Sequence, residues 1–251
     1  MEELRNIKLF GVKITTSKEE SILKYIESHL KKMSGKTFIT TPNPEIIIYA
    51  RRHPDFMKVL NSADIALPDG VGVPIACLLT HKVSVKRIAG VDFMEEICKM
   101  ASESATKDSK SIVNIGLFGG VPGIAKLTGE CLKKKYSGLT ISYASDTWNM
   151  HELRGKKLDI LFVAMGFPKQ EKWIYENIDK IPARVVMGVG GSFDFISGKV
   201  NRAPKIVRKV GLEWLYRLIR QPWRLKRQLA LISFAALTLQ AVFGLKNEKN
   251  V

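Results

Sequence analysis

The sequence predicts an α/β protein with a largely parallel sheet flanked by helices and a basic helical appendage at its C-terminal end. Three observations carry this prediction. Short β-branched or apolar runs recur up to residue 191, periodic or capped helical stretches separate them, and a basic tail begins near residue 199. Such alternation is typical of parallel sheets, which bind ligands at the carboxyl ends of their strands.

Seven runs have the composition of β-strands, because they are rich in β-branched and apolar residues. In chain order they are "IKLFGVKITT", "KTFITT", "ADIALP", "SIVNIGLF", "LTISYA", "LDILFVAMG" and "ARVVMGVGG". Helical patterns lie between them, among them residues 17–33, which open on Ser17, and residues 90–106. We therefore expect a Rossmann-like α/β catalytic domain over residues 1–198 and a helical appendage over residues 199–251.

Composition limits the class of protein. Of the 251 residues, 45% are apolar and 25% are charged, which is ordinary for a globular chain. A net charge of +16 favours an anionic partner, which could be nucleic acid, acidic lipid or a phosphorylated substrate. The three cysteines include no C-x-x-C pair and indicate neither a disulfide framework nor a zinc site, and "MEELRNIKLF" is unlike a secretory signal. These features predict a cytosolic protein.

The stretch "TTPNPEIIIYA" follows the second run, and two interpretations of it stay open. Asn43 is a favoured helix N-cap residue, Pro44 suits the first helical position, and Glu45 complements the helix dipole. Pro42 and Pro44 also restrict the backbone on both sides. The Asn43 amide and the Thr41 hydroxyl are therefore candidates for ligand hydrogen bonds at the sheet edge.

The stretch "LPDGVGVPIA" presents the same choice for Asp69. The residue follows a strand and precedes an apolar helix, which is the position of an N-cap. A single carboxylate in a crevice can also act as a general base. Gly70 and Gly72 would leave room for a ligand beside it.

Two glycine-rich stretches, "GLFGGVPG" and "MGVGGSFDFISGK", lie between a strand and a helix. Backbone N–H groups in such turns can hold phosphate at a helix N-terminus, whereas tight turns are the other use of these glycines. Neither stretch has the spacing of a P-loop or of a dinucleotide fingerprint. Neither D-x-D nor H-E-x-x-H occurs, so no metal site is expected.

The tail from residue 202 to 227 is strongly basic and contains a single acid, Glu213. Its nine basic residues are Arg202, Lys205, Arg208, Lys209, Arg217, Arg220, Arg224, Lys226 and Arg227. The arginines at 217, 220, 224 and 227 would lie within an arc of about 80° on one helix face. Pro222 predicts a break in this helix. The alternative is a solvated basic face packed through its leucines.

Residues 228–245, "QLALISFAALTLQAVFGL", carry no charge. This length is at the lower limit for a membrane span, and Ser233, Thr238 and Gln240 dilute it, so an interfacial helix is favoured over a crossing. A buried core helix or a dimer helix is the alternative. Together with the aromatic residues Trp214 and Trp223 of the basic run, this helix predicts contact with a membrane from the cytosolic side.

Six stretches, in their order and spacing, resemble the WecG/TagA/CpsF family of glycosyltransferases, family 26. They are "TPNPEI", "LPDGVGVP", "GLFGGVPG", "VAMGFPKQEKW", "GVGGSFDFISGKVNRAP" and "GLEWLYRLIRQPWRLKR". The resemblance implies an inverting, metal-independent transfer that needs no cofactor. It implies that N-acetylmannosamine moves from its UDP donor to the 4-hydroxyl of GlcNAc on undecaprenyl diphosphate, forming the β-1,4 linkage unit of wall teichoic acid. Because related enzymes use the uronic acid or other sugars, the donor stays open.

The resemblance also assigns roles to residues. Asp69 matches the family's catalytic aspartate, Thr41 and Asn43 match its pocket residues, and Gln170 is a further pocket candidate. Three tail arginines match positions that close over the active site at the membrane, namely Arg217, Arg224 and Arg227. The residues expected on the nucleotide side are Gly119, Gly120, Gly190, Gly191 and Asp194.

The expected partners are a UDP-sugar, the lipid diphosphate acceptor and the inner face of the cell membrane, with a homo-oligomer in solution that covers apolar surface. Three rival classes make different predictions. A nucleic-acid-binding protein would explain the charge but not the uncharged helix, and we expect no nucleic-acid partner. A nucleotide-cofactor oxidoreductase would need a dinucleotide fingerprint. A catalytically idle membrane scaffold would tolerate replacement of Asp69.

Overall fold

The computed structural model describes residues 3–31, 35–107, 112–153, 155–209, 211–220, 222 and 225–244. Structural statements below refer to these residues. The side chains of six of them lie outside the description, namely Lys107, Lys209, Arg217, Lys226, Arg227 and Gln228.

A six-stranded parallel sheet forms the centre of the fold. Its strands are β3 (Thr37–Thr40), β4 (Ile65–Ala66), β5 (Asn114–Gly119), β6 (Thr140–Ser145), β7 (Ile160–Ala164) and β8 (Val185–Gly188), following a separate pair, β1 (Asn6–Leu9) and β2 (Val12–Thr15). The order across the sheet is β4-β3-β8-β7-β5-β6. Ile39 of β3 lies opposite Met187 of β8, and Leu117 of β5 lies opposite Phe162 of β7. The predicted α/β class with a parallel sheet is confirmed.

The middle strands are buried on both faces, which explains their uninterrupted apolar sequences. β7 reads ILFVA and β8 reads VVMG, and every residue of both strands is buried. Alternate residues enter different clusters, since Phe162 packs with Phe93 on one face while Val163 packs with Ile174 on the other. Parallel sheets have this pattern because helices cover both faces.

Twelve helices are found in the described part of the chain, and the predicted helical stretches 17–33 and 90–106 are confirmed as α1 and α5. The helices are α1 (Glu19–Lys31), α2 (Pro44–Arg52), α3 (Pro54–Asn61), α4 (Gly72–His81), α5 (Gly90–Lys107), α6 (Ile124–Lys135), α7 (Met150–Leu153), α8 (Lys169–Asn177), α9 (Ser192–Ile196), α10 (Lys205–Lys209), α11 (Glu213–Arg220) and α12 (Leu225–Val242).

The first predicted run, "IKLFGVKITT", is not a strand of the parallel sheet. It folds into the antiparallel hairpin β1–β2, which turns at Phe10 and Gly11, both with positive φ. The hairpin is anchored to the sheet edge by the Thr15 hydroxyl, which accepts a 3.0 Å hydrogen bond from the N–H of Ala66 in β4. The "FG" turn in mid-run was the local signal for this reversal.

The C-terminal helices pack against the body. As predicted, the helical run is interrupted around Pro222, since α11 ends at Arg220 and α12 begins at Leu225. α12 lies against α2 and α4, where its Phe234 is 4% exposed and joins the cluster formed by Ile47 and Val73. Among the described residues, no helix combines the length and apolar content needed to cross a bilayer. The division between residues 198 and 199 stays a prediction.

Candidate active site at the carboxyl edge of the sheet

The turns that follow β3 and β4 lie side by side. The N–H of Leu67 donates to the carbonyl of Thr40 at 2.8 Å, and the N–H of Asp69 donates to the carbonyl of Pro42 at 3.0 Å. These bonds continue the parallel pairing beyond the two strands. The stretches "TTPNP" and "LPDG", separated in sequence, therefore meet at one edge.

Asn43 is the N-cap of α2. Its Oδ1 accepts a 3.0 Å hydrogen bond from the N–H of Ile46, its backbone is extended, and Pro44 occupies the first helical turn. The N-cap interpretation of Asn43 is thus confirmed. Within the described part of the chain the Nδ2 group of Asn43 has no hydrogen-bond partner, so the same side chain keeps two donor hydrogens for a ligand.

Asp69 does not cap the helix that follows it. The N-cap of α4 is Val71, two residues further on, so the capping alternative is wrong. Instead Asp69 Oδ1 accepts a 2.7 Å hydrogen bond from the N–H of Gly70, and the side chain is partly exposed. The carboxylate therefore lies in the turn at the sheet edge, where a ligand can approach it.

Gly70 brings this carboxylate close to Asn43. Its φ of +74° belongs to the left-handed region, which glycine adopts without strain. A Cβ at this position would lie 3.3 Å from Pro44 Cδ and 3.8 Å from Asn43 Cβ. The two turns approach so closely that a side chain here would have to displace Pro44.

Thr41 lies on the other side of Asn43, where it faces the start of α5. It is 9% exposed, and a Cβ on Gly90 would lie 3.2 Å from its Cγ2. The N–H of Ile88 donates to the carbonyl of Pro68 at 2.9 Å. The segment before α5 is therefore a third wall of the edge that holds Thr41, Asn43 and Asp69.

This third wall contributes Arg87, a candidate that the sequence reasoning missed. Arg87 directly precedes Ile88 and so lies next to the turn that carries Asp69. Its Nη2 is 3.8 Å from Glu213 Oε2. A basic residue just before a helix that starts at the carboxyl edge is the signal that could have identified it.

Gln170 is buried at 2% exposure, and both ends of its amide bind protein groups. Its Oε1 accepts a 2.9 Å hydrogen bond from the N–H of Gly190, and its Nε2 donates to Glu171 Oε1 at 2.8 Å. Gln170 thus joins the start of α8 to the turn after β8. Burial raises the pKa of Glu171 despite the bond from Gln170, and its Oε2 has no partner among the described residues.

The four predicted glycines end two different strands. Gly119 is the last residue of β5 and Gly120 follows it, with φ of +98° and +84°, and Gly190 follows β8 with φ of +53°. Since β8 pairs with β3, the turn of Gly190 and Gly191 adjoins the turn of Thr41, whereas β7 separates it from Gly119. The edge therefore offers exposed backbone at two places.

Asp194 lies in the first turn of α9, beside this second turn. Its Oδ2 is 3.8 Å from the position of a Cβ on Gly191, and its carbonyl accepts a 2.9 Å bond from the N–H of Val200. A cavity of about 340 Å³ opens nearby between α5, α9 and the segment after it. It is lined by Val91, Asp92, Phe195, Arg202 and Arg208, among others, and by none of the predicted site residues.

The structure does not describe the side chains of the three tail arginines that the sequence predicts at the site. Arg224 and the side chains of Arg217 and Arg227 lie outside the described residues. No group of three or more His, Cys, Asp or Glu side chains is placed to bind a metal ion within the ranges that the structure describes. The three cysteines, Cys77, Cys98 and Cys131, are free thiols.

A six-stranded parallel sheet flanked by helices, with a carboxylate, an amide and glycine-rich turns at its carboxyl edge, defines an α/β protein of the open-sheet class, in which ligands bind at the carboxyl ends of the strands. The comparison with protein families identifies it more closely. The chain belongs to the glycosyl transferase WecG/TagA/CpsF family, whose model matches residues 7–248. The family predicted from the six sequence stretches is confirmed.

Three curated relatives share one enzyme name, N-acetylglucosaminyldiphosphoundecaprenol N-acetyl-beta-D-mannosaminyltransferase. The protein of this name from Bacillus subtilis strain 168 is 35% identical over 250 residues, which cover 99% of this chain and 93% of that protein. The one from Bacillus spizizenii strain W23 is 33% identical over 226 residues, 88% and 85% of the two chains. One from Staphylococcus aureus is 30% identical over 220 residues, 85% and 84%.

Proposed function

We propose that this glycosyltransferase moves N-acetylmannosamine from UDP-ManNAc to GlcNAc-diphosphate-undecaprenol, with inversion and without a metal ion. The product would be the β-1,4-linked disaccharide that joins wall teichoic acid to its anchor. One observation carries the proposal. Asp69, Asn43 and Thr41 lie together at the carboxyl edge of the sheet in a chain whose relatives bear this enzyme name.

Asp69 is the general base of the proposed reaction. Its carboxylate removes the proton of the acceptor 4-hydroxyl while that oxygen attacks C1 of the donor sugar. The new bond joins O4 to C1, the bond from C1 to the diphosphate oxygen breaks, and UDP leaves with the electron pair. Attack from the face opposite the leaving group inverts the anomeric centre.

Asn43 and Thr41 orient the donor sugar for this attack. The Nδ2 hydrogens of Asn43 are directed at hydroxyl or N-acetyl oxygens, while its Oδ1 stays bound to the N–H of Ile46. Because the cap bond and Pro44 fix the side chain, little conformational freedom is lost when the sugar binds. Gln170 acts indirectly, because its hydrogen bond holds the turn of Gly190 in place.

Charge on the departing diphosphate needs cationic and N–H donors if no metal takes part. In the two glycine turns, which are those of Gly119–Gly120 and Gly190–Gly191, the N–H groups of Gly120 and Gly190 already bind the Ala164 carbonyl and Gln170 Oε1. The N–H of Gly191 is the donor offered to the diphosphate, and Asp194 accepts bonds from the nucleoside. Arg217, Arg224 and Arg227, with Arg87 from the loop before α5, supply the positive charge. We place the donor across the strand ends from β3 to β5.

We further propose that the protein works at the cytosolic face of the membrane, where its lipid acceptor is found. One observation supports this beyond the net charge of +16. The side of α12 opposite Phe234 bears five exposed apolar residues within an arc of about 80° at 100° per residue. They are Leu225 (60% exposed), Leu229 (57%), Ile232 (68%), Leu239 (54%) and Phe243 (71%). Off the membrane, self-association of the chain would cover this stripe.

The experiment that tests the function is UDP release from UDP-ManNAc with a short-chain lipid-diphosphate-GlcNAc acceptor in the presence of chelator. Acceptor-dependent release that survives chelation and disappears in Asp69→Asn is the expected result. Asp55→Asn is the matched control, since the Asp55 side chain is fully exposed on α3. No release from the folded protein on vesicles would reject this donor, and UDP-ManNAcA, the donor of related members, is then the next substrate.

A further inference from the structure

A network of charged groups joins the start of the appendage to the catalytic body. Arg87 and Asp92 belong to the body, and the appendage contributes Arg202, Arg208 and Glu213. The five residues carry three positive and two negative charges, and opposite charges face each other where the appendage meets the body. We call the five residues the clasp.

Asp92 and Arg202 form the tightest contact of the clasp. Arg202 Nη1 binds Asp92 Oδ1, and Nη2 donates to Oδ2 at 3.2 Å, which is the bidentate geometry that arginine favours with carboxylates. Arg208 Nη1 adds a third contact at 3.8 Å. Burial opposes ionisation of Asp92, but the hydrogen bond and charge of Arg202 outweigh it and hold the pKa below its usual value.

Glu213 bridges the two parts of the molecule. Its Oε1 is 3.6 Å from Arg202 Nε, and its Oε2 is 3.8 Å from Nη2 of Arg87. The Glu213 side chain is 13% exposed, so these interactions are poorly screened by solvent. It is the single acid between residues 202 and 227 and begins α11, one turn before Arg217.

Besides the ion pair of Glu213 with Arg87, the appendage contacts the body at Gly211, two residues before Glu213. Its φ is +78°, and a Cβ there would lie 2.9 Å from Cβ of Val71. Val71 follows Gly70 in the turn of Asp69, and Arg87 precedes Ile88, which binds Pro68. One contact of the appendage is therefore at Val71, two positions after Asp69, and the other is at Arg87, next to the residue that binds Pro68.

We propose that Gly211 and Glu213 are positioning residues of the transferase. Together they seat the beginning of α11 on Val71 and Arg87, beside the turn that contains Asp69. Gly211 allows the close approach that any larger residue would prevent, and Glu213 binds the appendage and Arg87 at once. The activity part of this proposal rests on the proposed function.

The test compares Glu213→Gln, Glu213→Asp and Gly211→Ala with two matched controls in the full chain. Glu27→Gln removes a solvent-exposed ion pair on α1, where Glu27 binds Lys31 at 2.8 Å, and so tests the loss of a glutamate charge away from the clasp. Gly198→Ala alters a glycine with the same φ of +78° but nothing within 4 Å, so it isolates backbone strain from the contact with Val71.

Two measurements are made on each variant, kcat with the lipid acceptor and hydrogen exchange of the amides of residues 68–76. We expect kcat to fall by up to about 10²-fold in Glu213→Gln and Gly211→Ala, with the donor KM little changed, because a small displacement misaligns the reacting groups. Exchange in residues 68–76 should quicken in the same variants. Glu213→Asp should recover part of kcat, and both controls should match the unaltered protein.

The outcomes separate this inference from the proposed function. Unchanged hydrogen exchange and unchanged kcat in Glu213→Gln and Gly211→Ala would overturn the inference. Faster exchange with full kcat would overturn it too, because the contacts of Gly211 and Glu213 would then have a structural role only. Equal loss of kcat in Gly198→Ala would also overturn it. If the unaltered protein transfers no sugar, the proposed function fails, while hydrogen exchange still decides whether these residues seat the appendage.

Discussion

The backbone N–H of Asp69 donates a hydrogen bond to the carbonyl of Pro42 at 3.0 Å. This one bond sets the carboxylate turn of β4 beside the amide turn of β3. The proposed base and the proposed sugar-binding amide are thereby held side by side by a backbone hydrogen bond, as a reaction centre requires.

The first prediction concerns Asp69 itself. Asp69→Asn keeps the size and the bond to Gly70 but removes the base, so we expect kcat to fall by about 10²- to 10⁴-fold while the thermal midpoint changes little. The measurement is steady-state UDP release alongside thermal unfolding. A variant that folds normally and retains full activity would assign the base elsewhere.

The second prediction separates the two uses of Asn43. Asn43→Ser keeps an N-cap oxygen for the N–H of Ile46 but loses the Nδ2 donors, so stability should be retained and activity lost. Asn43→Ala should lose both, with a decrease of about 1 kcal/mol in the free energy of unfolding. Urea unfolding and UDP release are measured on both variants. Equal activity of the serine variant and the unaltered protein would show that the amide only caps α2.

The third prediction concerns Asp159, at the edge of the sheet opposite the site. Burial alone would raise its pKa, but bonds from the Asn114 N–H and from Arg184 Nη2 hold that pKa below its usual value. The stabilisation is thus present above pH 3.8 and lost as pH falls through the lower, folded-state pKa. Asp159→Asn should cost about 3 kcal/mol at pH 7 because it removes the buried carboxylate charge that faces Arg184.

Urea unfolding between pH 2 and pH 7 checks this prediction. The difference between the unaltered protein and Asp159→Asn should shrink as the solution becomes more acidic. Asp146→Asn, at an exposed position, serves as the control and should follow the unaltered protein throughout. A difference that stays constant with pH would mean that the charge of Asp159 does not contribute.

The fourth prediction concerns Glu171, whose pKa is raised by burial. Its stabilising contribution is fully present below the ordinary glutamate pKa of 4.5 and decreases as pH rises, because the unfolded chain ionises first. Glu171→Gln removes this dependence, so its stability relative to the unaltered protein should increase from pH 4 to pH 8. Glu176→Gln, exposed on the same helix, is the control. The opposite trend in urea unfolding would contradict the raised pKa of Glu171.

The fifth prediction concerns the exposed apolar stripe of α12. Replacing Ile232 by Ser should weaken binding to anionic lipid vesicles about tenfold, because a buried side chain of this size contributes roughly 1.5 kcal/mol or more. Vesicle sedimentation measures the effect. Leu127→Ser, at an exposed leucine of α6, is the control. Unchanged binding together with dissociation of an oligomer in analytical ultracentrifugation would assign the stripe to self-association.

Much of the fold was predictable because its elements are encoded locally. The six parallel strands are apolar runs bounded by turn residues, and Asn43 followed by Pro44 encodes the N-terminal cap of α2. The first run was misassigned because it contains its own reversal at Phe10 and Gly11. The capping alternative for Asp69 failed because α4 begins further along, after Val71.

By itself, the sequence determined the α/β class, the strand ends that carry Thr41, Asn43 and Asp69, and the family. Only the tertiary structure decided that Gln170 is buried against Gly190, that Gly211 lies on Val71, and that Arg202 binds Asp92 across 110 positions. The physical reason is that strand, helix and cap preferences act over a few neighbouring residues. Contacts between distant residues depend on how whole elements pack, which no local spacing records.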